Sequence, residues 1–398
     1  MMTSTMNTGL AIGLLVAYWV QYGAVNISGN AAWRMCFGLQ LVPGAVVGAI
    51  IFFRPESPRW LFQHDRGGEA LQVLADLHAN GNYDDPVVRG EYEEIRVVVE
   101  FERGAPPPSY FSLLFGKQYR RRTALGMGLQ FMQQVSGINI ILYYAAKVFA
   151  QTGQTSTSAA LLSNGISSAL LLISSFSLTI LMDFYGRRKP LIVGPSSMGV
   201  CMIIVASLLL GFGSPHFNPI TQAVEFKFKN VSAGNAALAF MFLYMVFFGC
   251  FFAALPWTYQ NEVFPLNARG RGTALATCTN WFVNFWLGLY IPKALNMGSW
   301  KVYYVFGAIN LCISVISYLF FPETSRRTLE ELDLLFMPNR RLIVCLDREA
   351  CKKGSLLARE LSNGPEADAE NLESALVMAA LSHDDDIKKQ SAHEEYAA

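Results

Sequence analysis

Pro190-Leu191-Ile192-Val193-Gly194-Pro195-Ser196-Ser197-Met198-Gly199-Val200-Cys201-Met202-Ile203-Ile204-Val205-Ala206-Ser207-Leu208-Leu209-Leu210-Gly211-Phe212 carries no charged side chain and follows directly on Arg187-Arg188-Lys189. A helix needs about 20 mostly apolar residues to cross the hydrocarbon core of a bilayer, so this stretch reads as a spanning helix that starts at a basic edge. Working outward, comparable stretches lie near 8–27, 35–53, 123–149, 158–182, 235–261, 272–295 and 301–321. With 52% hydrophobic and 15% charged residues among 398, the chain is too apolar for an ordinary soluble domain of its size. The sequence therefore predicts an all-α membrane protein of about eight transmembrane helices.

The basic residues alternate between connections. The long connection after residue 54 ends in Arg120, Arg121 and Arg122, and the short ones carry Arg187, Arg188 and Lys189, then Arg269 and Arg271. The opposite connections, near 26–34, 150–157, 213–234 and 296–300, hold only Arg34, Lys227 and Lys229 among Lys and Arg. Positive loops stay in the cytoplasm, which places the first set inside. Two sequons, Asn26-Ile27-Ser28 and Asn230-Val231-Ser232, fall on the other side, so Asn26 and Asn230 are glycosylation candidates. A net charge of +1 gives no pointer to nucleic acid. The seven cysteines form no CxxC and lie mostly inside apolar spans, where they read as small hydrophobes.

The chain divides unevenly. Residues 1–54 hold two spans, 55–122 form a polar cytoplasmic linker, 123–321 hold six spans, and 322–398 read as a largely disordered cytoplasmic tail. The linker is amphipathic at 69–78 and 86–103, with Val88, Tyr92, Ile95 and Val99 at helical spacing, which suggests short helices lying under the membrane.

Polar side chains at membrane depth are the candidates for chemistry, because a buried amide without a partner costs about 1–3 kcal/mol. The third span contains Gln133-Gln134-Val135-Ser136-Gly137-Ile138-Asn139, followed by Tyr143-Tyr144. In a straight helix Gln134 and Asn139 project about 140° apart. Facing one cavity requires a bend, which Ser136-Gly137 can supply, and broken helices near the midplane are how many transporters build substrate sites. Amides that glue helices together are the competing explanation. The sixth span runs through Pro256-Trp257, where an indole could cover the apolar face of a sugar ring or simply pack. Asn280 and Asn284, four apart, share a face of the seventh span. Acids and arginines recur at the cytoplasmic ends of spans: Glu56 with Arg59, Asp183 with Arg187, Glu262 with Arg269, and Glu323 with Arg326. Anchoring explains the arginines but leaves the acids, so the set reads as a latch.

GxSxG, HExxH, P-loop and EF-hand signatures are missing, and no paired carboxylate or His cluster lies at one depth, so the sequence predicts no enzyme, no cofactor and no metal.

In combination these motifs resemble the sugar porter family of the major facilitator superfamily, of the fungal hexose and monosaccharide type, from the first span to about Asp333. Pro55-Glu56-Ser57-Pro58-Arg59-Trp60-Leu61 is similar to the end of the sixth family helix, and Gln133 to Asn139 to the seventh-helix motif. Asp183-Phe184-Tyr185-Gly186-Arg187-Arg188 follows the eighth. Pro256-Trp257 corresponds to the tenth, Asn280-Trp281 with Asn284 to the eleventh, and Pro322-Glu323-Thr324 to the exit from the twelfth. The resemblance implies a helical bundle lacking the first four family helices, with residues 1–54 as the fifth and sixth. It implies that Gln133, Gln134, Asn139 and Asn284 bond sugar hydroxyls, that Trp257 lies against the ring, and that Tyr143 and Tyr144 close an outer gate. Glu56, Arg59, Asp183, Arg187, Glu262, Arg269 and Glu323 would form a cytoplasmic charge network. Three departures stand out: Leu171 replaces an eighth-helix amide, Ser325-Arg326-Arg327 replaces Lys-Gly-Arg, and Asn7 stands where the fifth helix carries a Gln.

The expected function is alternating-access transport of a monosaccharide, a hexose, pentose or polyol, with sugar and bilayer as partners. Proton symport and facilitated diffusion both stay open. The rivals are a non-transporting sugar sensor, an inactive truncated transporter and a polytopic membrane enzyme. Expressed alone, the chain is expected not to transport. The sequons favour the plasma membrane.

Overall fold

The computed structural model describes residues 2–24, 26–27, 29–104, 107–142, 157–218, 223–296, 299–327, 331–332, 335–336 and 342–352. The apolar stretches form helices because in lipid a backbone must satisfy its own polar groups. Along the chain these are α1 (Met2–Ala24), α2 (Ala31–Phe52), α3 (Pro58–Gln63), α4 (Gly67–His78), α5 (Pro86–Gly104), α6 (Tyr110–Phe115), α7 (Arg120–Val135), α8 (Thr157–Tyr185), α9 (Arg188–Phe212), α10 (Val231–Phe247), α11 (Leu255–Val263), α12 (Leu266–Asn296), α13 (Ser299–Phe320) and the short α14 (Arg348–Cys351). Among the described residues, four segments are long and apolar enough to cross a membrane by length and composition: α2, α9, residues Val231–Val263, and Trp300–Phe320 of α13. Two shorter apolar runs, Thr8–Ala24 and Leu162–Ser177, lie within α1 and α8. α7 and α12 occupy the other two stretches read as spans. They hold the amides, which dilutes their apolar character.

One addition was not expected. Between α9 and α10 an antiparallel hairpin pairs β1 (Gly213–Asn218) with β2 (Ala223–Phe228), from Gly213 opposite Phe228 to Asn218 opposite Ala223. Its short runs, interrupted by Pro215 and flanked by polar residues, carry no alternation strong enough to read as strands from sequence.

The contacts divide the chain into two compact units. The larger comprises residues Met1–Tyr22, Phe111–Pro265 and Gly272–Ala398, so α1 groups with the six-helix body, not with α2. Tyr18 donates to the Leu142 carbonyl at 2.8 Å, and Leu14 packs on the core. That core runs through Leu129, Met198, Met202, Tyr244, Phe252, Tyr259 and Phe306. The described part of the tail belongs to it as well: Leu332, Leu335, Phe336, Val344 and Ala350 are buried, Glu323 N–H donates to the Ala350 carbonyl at 2.9 Å, and Arg122 lies 4.8 Å from the Phe336 ring. The described residues of the tail, up to Lys352, thus pack on the core through a few widely spaced apolar side chains. Residues 353–398 lie outside the described part.

The smaller unit comprises Gly23–Tyr110 and Leu266–Arg271. The Ser57 side chain caps α3 by accepting from Trp60 N–H at 3.3 Å, as a helix N-terminus favours. α4 and α5 fill the two amphipathic stretches. Val99 packs with Leu61, Phe62 and Ala70, while Val88 packs with Leu74 and Ala75. Arg103 clamps the α3 end through the Phe62 carbonyl (2.9 Å), the Gln63 carbonyl (3.2 Å) and Asp65 (2.9 Å). Arg271 donates to the Pro107 and Pro108 carbonyls, each at 3.1 Å.

Candidate functional site

The site is built where two spans break. α7 ends at Val135, Gly137 takes a φ of +98°, and the backbone is helical again from 138 to 142. A positive φ is open to glycine and costly for other residues, so the sequence Ser136-Gly137 fixes the position of the break. Across it, Asn139 Nδ2 donates to Gln134 Oε1 at 2.5 Å. The bend required to bring these two amides to one face is therefore present.

The second break lies between α10 and α11. Residues Phe248–Phe252 form a π turn, in which Ala253 N–H donates to the Phe248 carbonyl at 2.8 Å. Pro256 follows at the start of α11. An α-helix would satisfy the Phe252 carbonyl from the N–H of residue 256, and proline has none. Gln133 Nε2 supplies the missing donor, at 3.2 Å to the Phe252 carbonyl and 2.9 Å to that of Ala253. The Pro256-Trp257 motif thus ties α11 to α7 and sets Trp257, partly buried, on the first turn of α11.

α12 contributes the third wall. Asn280 Nδ2 donates to Gln130 Oε1 at 2.7 Å and to Gln133 Oε1 at 3.2 Å, and its Oδ1 accepts from Gln134 Nε2 at 2.6 Å. One turn on, Asn284 Nδ2 donates to Gln134 Oε1 at 3.4 Å. Gln130 Nε2 donates to Gln260 Oε1 at 2.8 Å. Gln133, Gln134, Asn139, Asn280, Gln130 and Gln260 are all buried. A chain of neutral amides therefore runs from α11 through α7 to α12. Gln130 and Gln260 were not singled out from sequence. The available signal was spacing: Gln130 lies three and four residues before Gln133 and Gln134, on the same helix face, and Gln260 follows Trp257 by three.

A second polar cluster joins the ends of α8, α11 and α13. Arg187 grips Glu262 Oε1 through Nη2 (2.9 Å) and Nε (3.1 Å), and its Nη1 donates to Ser325 Oγ at 3.0 Å. Thr324 Oγ1 donates to Glu262 Oε2 at 2.5 Å. Glu323 accepts three backbone N–H groups, from Arg187 (2.8 Å), Arg188 (3.1 Å) and Ser325 (3.0 Å). Gly186 makes this possible: its φ is +80°, and a Cβ there would overlap the Glu323 carboxylate. Glu262 takes Arg187 as its ion-pair partner, and Glu323 is held by main-chain amides, because the helix ends converge in space. Glu56 and Arg59 are exposed in the smaller unit, to which Arg269 also belongs. The Asp183 side chain, with Tyr143 and Tyr144, lies outside the described residues.

Asn26 is exposed in a turn. Asn230 is exposed and caps α10, its Oδ1 accepting from Ser232 N–H at 2.9 Å. Among the described residues no group of His, Cys, Asp and Glu could hold a metal ion.

Residues 1–336 match the family model described as sugar (and other) transporter. A high-affinity glucose transporter of Kluyveromyces lactis is 34% identical over 334 residues, covering 83% of this chain and 60% of that protein. The glucose transporter mfs1 of Aspergillus flavus is 34% identical over 344 residues, covering 84% and 64%. Among solved structures, the proton:xylose symporter XylE, a major facilitator superfamily protein bound to 6-bromo-6-deoxy-D-glucose, aligns with a TM-score of 0.65 at 25% identity, over 84% of this chain and 66% of that one. The chain thus spans about 60 to 64% of the length of these two relatives. Its broken α7, the amides on α7, α11 and α12, and these matches agree: this is an integral, multi-pass, all-α membrane protein of the major facilitator superfamily fold, and it belongs to the sugar (and other) transporter family.

Proposed function

We propose that the chain binds a monosaccharide at the amide chain of α7, α11 and α12 and serves its transport by alternating access. The observation that carries this is the convergence on Gln134: its Oε1 accepts from Asn139 across the Gly137 break and from Asn284 on α12, while its Nε2 donates to Asn280. An amide offers both donors and acceptors, as a sugar hydroxyl does. Exchanging amide–amide bonds for amide–hydroxyl bonds leaves the number of hydrogen bonds nearly unchanged, so sugar can enter and leave without stranding a buried polar group. Charged side chains would bind ions or acids instead, and the described network contains none. Trp257 supplies a flat apolar surface suited to the C–H face of a pyranose.

In this reading Tyr143 and Tyr144 gate the outer side, and Asp183, Arg187, Glu262 and Glu323 form the cytoplasmic network that holds one state of the cycle. The exposure of both sequon asparagines supports a secretory route and the plasma membrane. The work is transport and not catalysis.

The test is stereospecific binding and flux of D-glucose against L-glucose, using the purified chain in detergent and in liposomes. Saturable D-selective binding supports the site, and saturable D-selective uptake supports transport. Uptake that collapses with an uncoupler marks proton symport. Binding without uptake favours an inert or sensing chain, and no D-selective binding sinks the reading of the amides as a sugar site.

A further inference from the structure

The break in α7 needs something to hold it. In a continuous helix the Ser136 carbonyl would accept from Ile140 N–H, four residues on. Ile140 N–H donates instead to the Gly137 carbonyl at 3.0 Å, so the Ser136 carbonyl is released from the ladder inside an apolar body. Two side chains from other helices take it: the Tyr244 hydroxyl of α10 at 3.1 Å and Asn310 Nδ2 of α13 at 2.6 Å. Ser136 and Asn310 are fully buried and Tyr244 is 1% exposed. Asn310 Nδ2 also donates to the Phe306 carbonyl at 2.8 Å, and the Phe306 side chain lies against Gly137, within 3.1 to 3.3 Å of where a Cβ would be.

Packing alone does not call for these residues. Asn310 Oδ1 is buried without a hydrogen-bond partner among the described residues, and a leucine, with the same branching, would carry no such polar atom. What only the asparagine provides is a pair of N–H donors. One goes to its own helix and the other to the carbonyl that the break sets free.

We propose that Tyr244 and Asn310 are positioning residues that clasp the Ser136 carbonyl and so hold Asn139 against Gln134. This rests on the reading of the amide chain as the sugar site. Neither side chain bonds the amides themselves. They act through the angle at Gly137, which decides whether the two flanking amides face one another.

The experiment is hydrogen–deuterium exchange of the purified chain, read at the amides of 138–142, with D-glucose affinity measured on the same samples. The variants are Tyr244→Phe, which keeps the ring, and Asn310→Leu, which keeps the branching. Each is expected to speed exchange at 138–142 about tenfold, the loss expected for one hydrogen bond, with α9 exchange unchanged. Each should also weaken D-glucose about tenfold. Unchanged exchange at 138–142 would overturn the clasp, and faster exchange with unchanged affinity would overturn its positioning role. A parent chain that binds no sugar would fail the site reading alone, since the exchange measurement judges the clasp without any ligand.

Discussion

Two polar clusters sit within the larger unit, and they are bonded in opposite ways. The amides of α7, α11 and α12 are neutral, bond mainly to one another, and each can be replaced by a hydroxyl. The cluster at the ends of α8, α11 and α13 is ionic: Arg187 pairs with Glu262, and Glu323 collects three main-chain N–H groups. A bond to a charged group is worth roughly twice a neutral one, and an acid stripped of its partners in a buried place is expensive. The first cluster is thus suited to exchanging partners and the second to keeping them. Under the proposed function, softness belongs where a neutral ligand comes and goes, and stiffness where helix ends stay joined until a conformational step separates them.

The sharpest way to break the contrast is Gln134→Ala. Gln134 joins Asn139, Asn280 and Asn284, so its loss removes about three neutral hydrogen bonds at about 1 kcal/mol each. D-glucose affinity should fall about 100-fold, measured by equilibrium binding, with expression kept. A drop below tenfold would mean that the network is structural glue.

Glu323→Ala tests the other side. The residue is 2% exposed, and its loss strands three N–H donors, which should cost about 3 kcal/mol and show as a lowered midpoint of thermal unfolding. Sugar affinity should move less than about threefold. Equal losses of stability and affinity would show that the two clusters form one unit. Trp257→Ala should weaken D-glucose about tenfold, in line with about 1.5 kcal/mol for an aromatic face, while the yield of monodisperse protein stays near parental. Unaltered binding would return Trp257 to simple packing. The smallest effect is expected from Leu171→Asn. Leu171 is 5% exposed within the core, and an added amide should reorder preference among hexoses, pentoses and polyols more than it lowers the melting midpoint. An identical order in competition assays would show that this side chain does not face the cavity.

Local chemistry made much of this legible beforehand. Apolar runs of sufficient length have few choices in lipid, so the spanning helices could be read from composition. Ser136-Gly137 could be read as a break because the chord between Gln134 and Asn139 requires one and glycine permits it. The amphipathic spacing in 86–103 likewise announced a helix. The hairpin at 213–228 was hidden because two six-residue strands are stabilised by each other more than by their own residues. Gln130 and Gln260 were hidden because a lone glutamine in a span gives no sign of the partner it will meet.

The amino-acid sequence by itself determined which apolar segments are helical and where α7 can break, since period and the freedom of glycine are properties of neighbouring residues. Only the tertiary structure decided the partners. Gln133 takes the carbonyls freed near Pro256, Glu262 takes Arg187 and not an arginine nearer in sequence, Glu323 takes the main chain beside Gly186, and Tyr244 and Asn310 meet at one carbonyl. These pairs lie 75 to 174 residues apart for the most part, as with Arg187 and Glu262 or Asn310 and Ser136. A hydrogen bond forms only where packing brings donor and acceptor within about 3 Å, and no spacing along the chain encodes that.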